Sequence, residues 1–206
     1  MTNQGKEISI AEELSARGVH VVRYGASDVP EELIKQLVEK SRQQHILQYG
    51  AQTDVGDGQN PGRFYDLDSY NKWAKKGRTV YLLMGENSKN QLPDVGGIIW
   101  FGERKNVHAP GCSNTFAIRH YDEDADKGWG KYYRYGFGTE FMRATHKDFV
   151  TNVAPGVKIW LDVVDKNIKA IELYERLGYK KMGDPVDDKI HTGRKRLVMQ
   201  YIGIER

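Results

Sequence analysis

The residues most able to do chemistry begin with a glycine pair in the run Arg134-Tyr135-Gly136-Phe137-Gly138-Thr139. Phe141, Met142, Thr145 and Phe149 follow at helical spacing, so the glycines sit where a helix begins. A helix start offers unpaired backbone N–H groups and the positive end of its dipole, and glycines let anionic oxygens approach the main chain. That chemistry suits a pyrophosphate. An ordinary turn also uses glycines, so their placement at a helix start carries the reading more than the glycines themselves.

A second constellation follows at once. Lys158-Ile159-Trp160-Leu161-Asp162-Val163-Val164 is apolar and β-branched enough for a buried strand. Asp165 or Asn167 can cap the helix expected from Ile168 to Leu177, and Gly178 stands where a left-handed C-terminal residue is needed. Ile168, Ile171, Tyr174 and Leu177 fall three residues apart, which predicts one core-facing stripe. Tyr174 reads in two ways, as a buried aromatic of that stripe or as a phenol one turn or more inside a helix after a cofactor loop. Glycine loop, helix, strand, Asn, and helix with Tyr is an order that suits a phosphate-bearing acyl carrier.

These elements need a scaffold. Val19 to Tyr24 reads as a first strand, Pro30 to Ser41 as a helix opened by Asp28, and Asp66 to Lys76 as a second helix. Thr79 to Met84, Gly96 to Phe101 and Thr115 to Tyr121 read as further strands, with a turn at Ser88 to Asp94, and Leu197 to Ile202 as a late one. Strands grouped before the glycine loop, then helix, strand, helix and strand, predict an α/β fold with a mixed sheet and helices on both faces. Gly50 to Gly62 has the Gly, Asp, Gln and Asn content of a long loop without periodicity. No internal repeat is seen.

Tyr135-Gly136-Phe137-Gly138-Thr139, Leu161-Asp162-Val163, Asn167, Ala170-Ile171, Leu173-Tyr174-Glu175 and Leu177-Gly178-Tyr179 together resemble the GNAT N-acetyltransferase superfamily. The resemblance is close over residues 134 to 180 and looser from Val95 to Tyr121, with the clearest match of a single domain spanning 1–206 lying within residues 95 to 200. It implies a GNAT-like fold with a mixed, mostly antiparallel sheet flanked by helices, and transfer of an acetyl group from acetyl-CoA, as cosubstrate, to a primary amine. Attack would be direct, in a ternary complex, with Tyr174 near the sulfur as general acid. Main-chain amides from Tyr133 through Arg134, Tyr135, Gly136, Phe137 and Gly138 to Thr139 would grip the diphosphate. The family pattern places Arg or Gln three residues before the first loop glycine, where this chain has Tyr133.

The same resemblance places Asn167 near the pantetheine arm and Ala170 among the cofactor-binding residues, with Ile118 and His120 lining the other side through their main chain. Backbone N–H groups of Phe116 to Tyr121 would polarise the carbonyl as it becomes an oxyanion. For the general base, Glu103 at the end of the strand Gly97 to Phe101 is the choice, with His120 or a water relay as alternatives. Glu103 precedes Arg104 and Lys105 and also reads as a plain surface charge. A second glycine pair, Lys127-Gly128-Trp129-Gly130-Lys131, is followed by tyrosines in a polar setting rather than a helical pattern, so the later pair is preferred. The acidic run Asp122, Glu123, Asp124 and Asp126 reads as a solvated insertion, or as an attractor for a cationic amine.

Composition bounds the rest. A chain of 206 residues fits one domain, and its net charge of +3 is mixed rather than clustered, which argues against nucleic acid. Arg194-Lys195-Arg196 sits beside Leu197, Val198 and Met199 as a strand entrance. The single Cys112 cannot make an internal disulfide, the first twenty residues carry charges where a secretory signal is apolar, and no window is long and apolar enough to span a membrane, so a cytoplasmic location is expected. His45, His108, His146 and His191 lack metal-ligand spacing, so no metal is expected. The expected partner is the amine acceptor, a small molecule or a peptide or protein amine, and a homodimer is compatible with the sequence. A non-catalytic acyl-CoA-binding module of the same fold is the main alternative. An RNA-recognition strand is disfavoured, because the residues after Gly138 take a helical period.

Overall fold

The computed structural model describes residues 5–10, 12–16, 18–49, 64–85, 93–121, 137–188 and 193–203. Element order is β1 (Lys6–Ile8), α1 (Glu12–Ser15), β2 (Val19–Gly25), α2 (Glu31–Tyr49), α3 (Leu67–Ala74), β3 (Thr79–Gly85), β4 (Asp94–Glu103), β5 (Asn114–His120), α4 (Phe137–Asp148), β6 (Ile159–Val164), α5 (Ile168–Arg176), β7 (Tyr179–Lys181), β8 (Val186–Asp187) and β9 (Lys195–Tyr201). This is an α/β fold with a mixed, mostly antiparallel sheet flanked by helices. The chain forms two compact units, Met1–Trp100 with Ile118–Phe141, and Phe101–Ala117 with Met142–Arg206. β4, β5 and α4 contribute residues to both.

In the first unit the hydrogen-bonded order is β1-β2-β3-β4-β5, with β1–β2 and β2–β3 antiparallel. β3 is buried along almost its whole length, as a central strand flanked on both faces must be, which explains why it reads Val-Tyr-Leu-Leu-Met without polar alternation. α3 starts at a capping box: Asp66 accepts from the Ser69 amide at 2.7 Å, and Ser69 Oγ accepts from the Asp66 amide at 3.0 Å. That cap swings Tyr70 and Trp73 inward. Phe64, Trp73 and Trp100 then meet edge to face, with centroids 4.8 to 5.6 Å apart. The Tyr70 hydroxyl donates to the Ala26 carbonyl at 2.9 Å, so this aromatic block leaves its phenol satisfied. Lys40 of α2 reaches Asp94 at 2.9 Å, and Ser41 and Tyr121 share a buried hydroxyl–hydroxyl bond of 3.0 Å.

In the second unit the order is β5-β6-β9-β7, with β8 on β9. β5 and β6 are parallel, in a register running from Asn114–Ile159 to Thr115–Trp160, whereas β6–β9, β7–β9 and β8–β9 are antiparallel. α4 ends in a π-helical turn, Phe149–Val153, which places Phe149 flat against Phe101 at 4.2 Å. On the other side of β6, Trp160 packs with Ala109, Cys112 and Val198, and its indole N–H donates to the Arg104 carbonyl at 2.7 Å. Cys112 is a buried free thiol.

Several expectations need adjusting. α2 runs eight residues beyond Ser41, and Pro30 precedes its first residue, with Ala26–Asp28 forming a separate 3-10 turn. Ile168 does not join the core stripe: it is 57 % exposed, because it lies in the first turn beside the cap, while Ile171 and Leu177 are buried. Asp94 belongs to β4 rather than to a turn. The loop from Gly50 to Gly62, the acidic run 122–126 and the glycine pair at Gly128 and Gly130 lie outside the described residues.

Candidate active site

Of the expected diphosphate loop, Tyr133, Arg134, Tyr135 and Gly136 lie outside the described residues, while Phe137, Gly138 and Thr139 form the first turn of α4. Phe137 is the first described residue of that helix. Phe137 is buried and anchors the turn; Gly138 and Thr139 are half-buried. First-turn amides have no intrahelical acceptor, so these three N–H groups suit an anion.

Gly138 has a second reason to be glycine. The imidazole of His120, at the end of β5, lies against it: a Cβ at Gly138 would stand 2.9 Å from Nε2 and 3.2 Å from Cε1. On its other side the same ring faces Gly97 of β4, where a Cβ would stand 3.4 Å from Nδ1, and its edge approaches Phe141 at 6.3 Å. His120 thus lies in a slot made by two glycines. Ile118, two residues earlier, is half-buried on the same strand.

The other candidates belong to the second unit. Asn167 is the cap of α5, its side chain accepting from the Ala170 amide at 3.3 Å; Asp165 does not take that role. Ala170 is half-buried on the first turn that Asn167 fixes. Gly178 ends the helix at φ +89°, a backbone region that disfavours side chains. Between cap and stop, Tyr174 is half-buried, its ring edge-on to Phe116 at 5.9 Å and to Tyr179 at 5.8 Å. Burial, and secondarily the Asp162 carboxylate, raise its phenol above the ordinary tyrosine range. Its hydroxyl makes no hydrogen bond among the described residues, so an aromatic wall fixes the ring while the O–H remains unspent.

Glu103 closes β4 as an exposed residue. His146, whose spacing in the sequence suggests no metal site, is buried on α4. It bonds the Met142 carbonyl at 2.7 Å and the Tyr179 hydroxyl at 2.6 Å, and packs edge-on to Phe101 and Phe116. Only its place on the buried face of the helical pattern could have signalled it. Asp162 is held by Arg196, which also reaches Asp188 at 3.4 Å. Among the described residues there is no group of three or more His, Cys, Asp or Glu side chains able to hold a metal, and no helix is long and apolar enough to cross a membrane.

Comparison with known proteins places the fold. No protein-family model matches the chain, and no curated protein matches it. Solved structures do. A ribosomal-protein-S5-alanine acetyltransferase from Vibrio fischeri superposes with a TM-score of 0.59 at 9 % identity, covering 96 % of this chain and 97 % of that one. A GNAT-family acetyltransferase from Streptococcus pneumoniae gives 0.56 at 13 %, covering 88 % and 98 %. One from Bacillus anthracis gives 0.54 at 11 %, covering 95 % and 97 %. The chain has the fold of the GNAT acetyltransferases.

Proposed function

We propose that the protein is an N-acetyltransferase that moves an acetyl group from acetyl-CoA to a primary amine without a covalent enzyme intermediate. The observation that carries this reading is Tyr174: a phenol whose pKa is raised by burial, held edge-on by Phe116 and Tyr179, whose hydroxyl makes no hydrogen bond among the described residues.

The cosubstrate contacts proposed are those expected from the sequence. The amides of Phe137, Gly138 and Thr139, with those of Tyr133 to Gly136, would take the diphosphate, Asn167 would border the pantetheine arm, and Ala170 would be a further cosubstrate contact. Ile118 and His120 would contribute main chain. The parallel register of β5 with β6 ends at Thr115 and Trp160, and the β5 backbone beyond it is assigned the role of polarising the thioester carbonyl.

The chemistry then balances. The amine nitrogen attacks the carbonyl carbon, a C–N bond forms and the C–S bond breaks. Tyr174 gives its proton to the departing sulfur, and the surplus proton on nitrogen passes to Glu103, directly or through a water. The phenol is reprotonated from solvent between turnovers. A phenol held above its ordinary range is a poor anion and therefore stays loaded as an acid at neutral pH.

A thiol-release assay with acetyl-CoA across an amine library, run beside a direct acetyl-CoA binding measurement, tests this. Release with at least one amine is expected. Binding without release on every amine would favour a non-catalytic carrier-binding module, and no binding would remove the cofactor assignment.

A further inference from the structure

The second unit buries a titratable pair that the proposed chemistry does not use directly. His146 Nδ1 lies 2.7 Å from the Met142 carbonyl oxygen, which can only accept, so Nδ1 carries the ring proton. Nε2 is then a bare acceptor, and the Tyr179 hydroxyl, 2.6 Å away, donates to it. Burial pushes the imidazole down to about 4, which keeps it in the neutral form that this bond requires.

The two walls that hold Tyr174 both rest on this histidine. Phe116 meets the His146 ring edge-on at 4.6 Å, and Tyr179 meets it at 5.6 Å while bonded to it. Tyr179 is backed by Tyr201 at 5.3 Å and is almost fully buried. A ring fixed at its hydroxyl by one bond and on its face by a neighbour has little freedom to rock. Tyr174, packed on it from α5, inherits that constraint.

We propose that the Tyr179–His146 hydrogen bond sets the orientation of Tyr174, making Tyr179 a positioning residue for the acid of the reaction. The inference rests on the assignment of Tyr174 made above. Among the described residues, Asp162 from β6 raises the pKa of Tyr174, while Tyr174 and Tyr201 of β9 in turn raise that of Tyr179 of β7.

A double-mutant cycle tests it. Tyr179→Phe keeps the ring and removes only the bonded hydroxyl. It should lower kcat about tenfold, since small misplacement of a reacting group is costly, while the KM for acetyl-CoA stays within about twofold. The alkaline limb of the kcat–pH profile should move to lower pH as the Tyr174 ring becomes more hydrated. In a Tyr174→Phe background the same change should cost nothing further. His146→Gln, whose amide can offer an acceptor near the place of Nε2, should retain most of the activity, whereas His146→Leu should behave like Tyr179→Phe. A Tyr179→Phe loss that persists in full without the Tyr174 hydroxyl would mark a general structural role and overturn the inference.

If Tyr174→Phe itself keeps full turnover, the acid assignment falls. Titration of Tyr174 by NMR on protein carrying 13C-labelled tyrosine then decides separately. A midpoint lowered by Tyr179→Phe upholds the coupling of the two rings, and an unmoved midpoint overturns it.

Discussion

The imidazole of His120 fills the space that a side chain at Gly138 would occupy, with Nε2 only 2.9 Å from where a Cβ would stand. The glycine therefore has a packing role that does not depend on any anion. Gly138→Ala should destabilise the fold by roughly 1 to 3 kcal/mol, the usual cost of overpacking, read as a lowered urea midpoint. The double variant Gly138→Ala with His120→Ala should be more stable than the sum of the single effects predicts. Strict additivity would mean that the two positions do not contend for the same space.

Acid sensitivity should be concentrated at His146. In the folded protein its titration lies at about 4 and in the unfolded chain near the ordinary histidine value of about 6.5, so the unfolded state binds the extra proton between them. The stability from keeping the ring neutral is fully present above that unfolded value. It is lost as pH falls toward 4, by an amount on the order of 3 kcal/mol. Urea unfolding of the wild type from pH 7 to pH 4 should show that loss, and His146→Gln should flatten it. An equal slope in the variant would assign the acid limb to other groups.

The Arg196 fork joins Asp162 of β6 to the nearly buried Asp188 carboxylate. Removing it with Arg196→Ala takes the shared guanidinium from both carboxylates and should cost about 2 kcal/mol, the scale of a hydrogen bond to a charged group. Arg196→Lys should recover only part of this, because an ammonium cannot span both partners as a planar guanidinium does. Chemical denaturation of the three proteins checks the order. A lysine variant as stable as wild type would show that charge alone, and not the fork, matters.

Much of this framework is legible in the sequence because it is local. The stretch from β6 through α5 declares itself by a β-branched run, an Asn cap, a helical period and a stop glycine, each within a few residues of the next. The start of α4 is equally local. What the sequence hides depends on distant partners. β1 and β7 are three residues long and exist through pairing with β2 and β9, and β8 is shorter still. Ile168 fits the periodic stripe in sequence yet is left in solvent by the geometry of a first turn. The His146–Tyr179 bond joins residues 33 apart, on a helix and a strand, and nothing in either local pattern signals it.

The most direct test of the central claim is acetyl-CoA-dependent thiol release by the wild type and by Tyr174→Phe on a responsive amine. Loss of a general acid predicts a fall in kcat of about a hundredfold, with acetyl-CoA binding and the unfolding midpoint little changed. Equal turnover by the two proteins would contradict the account.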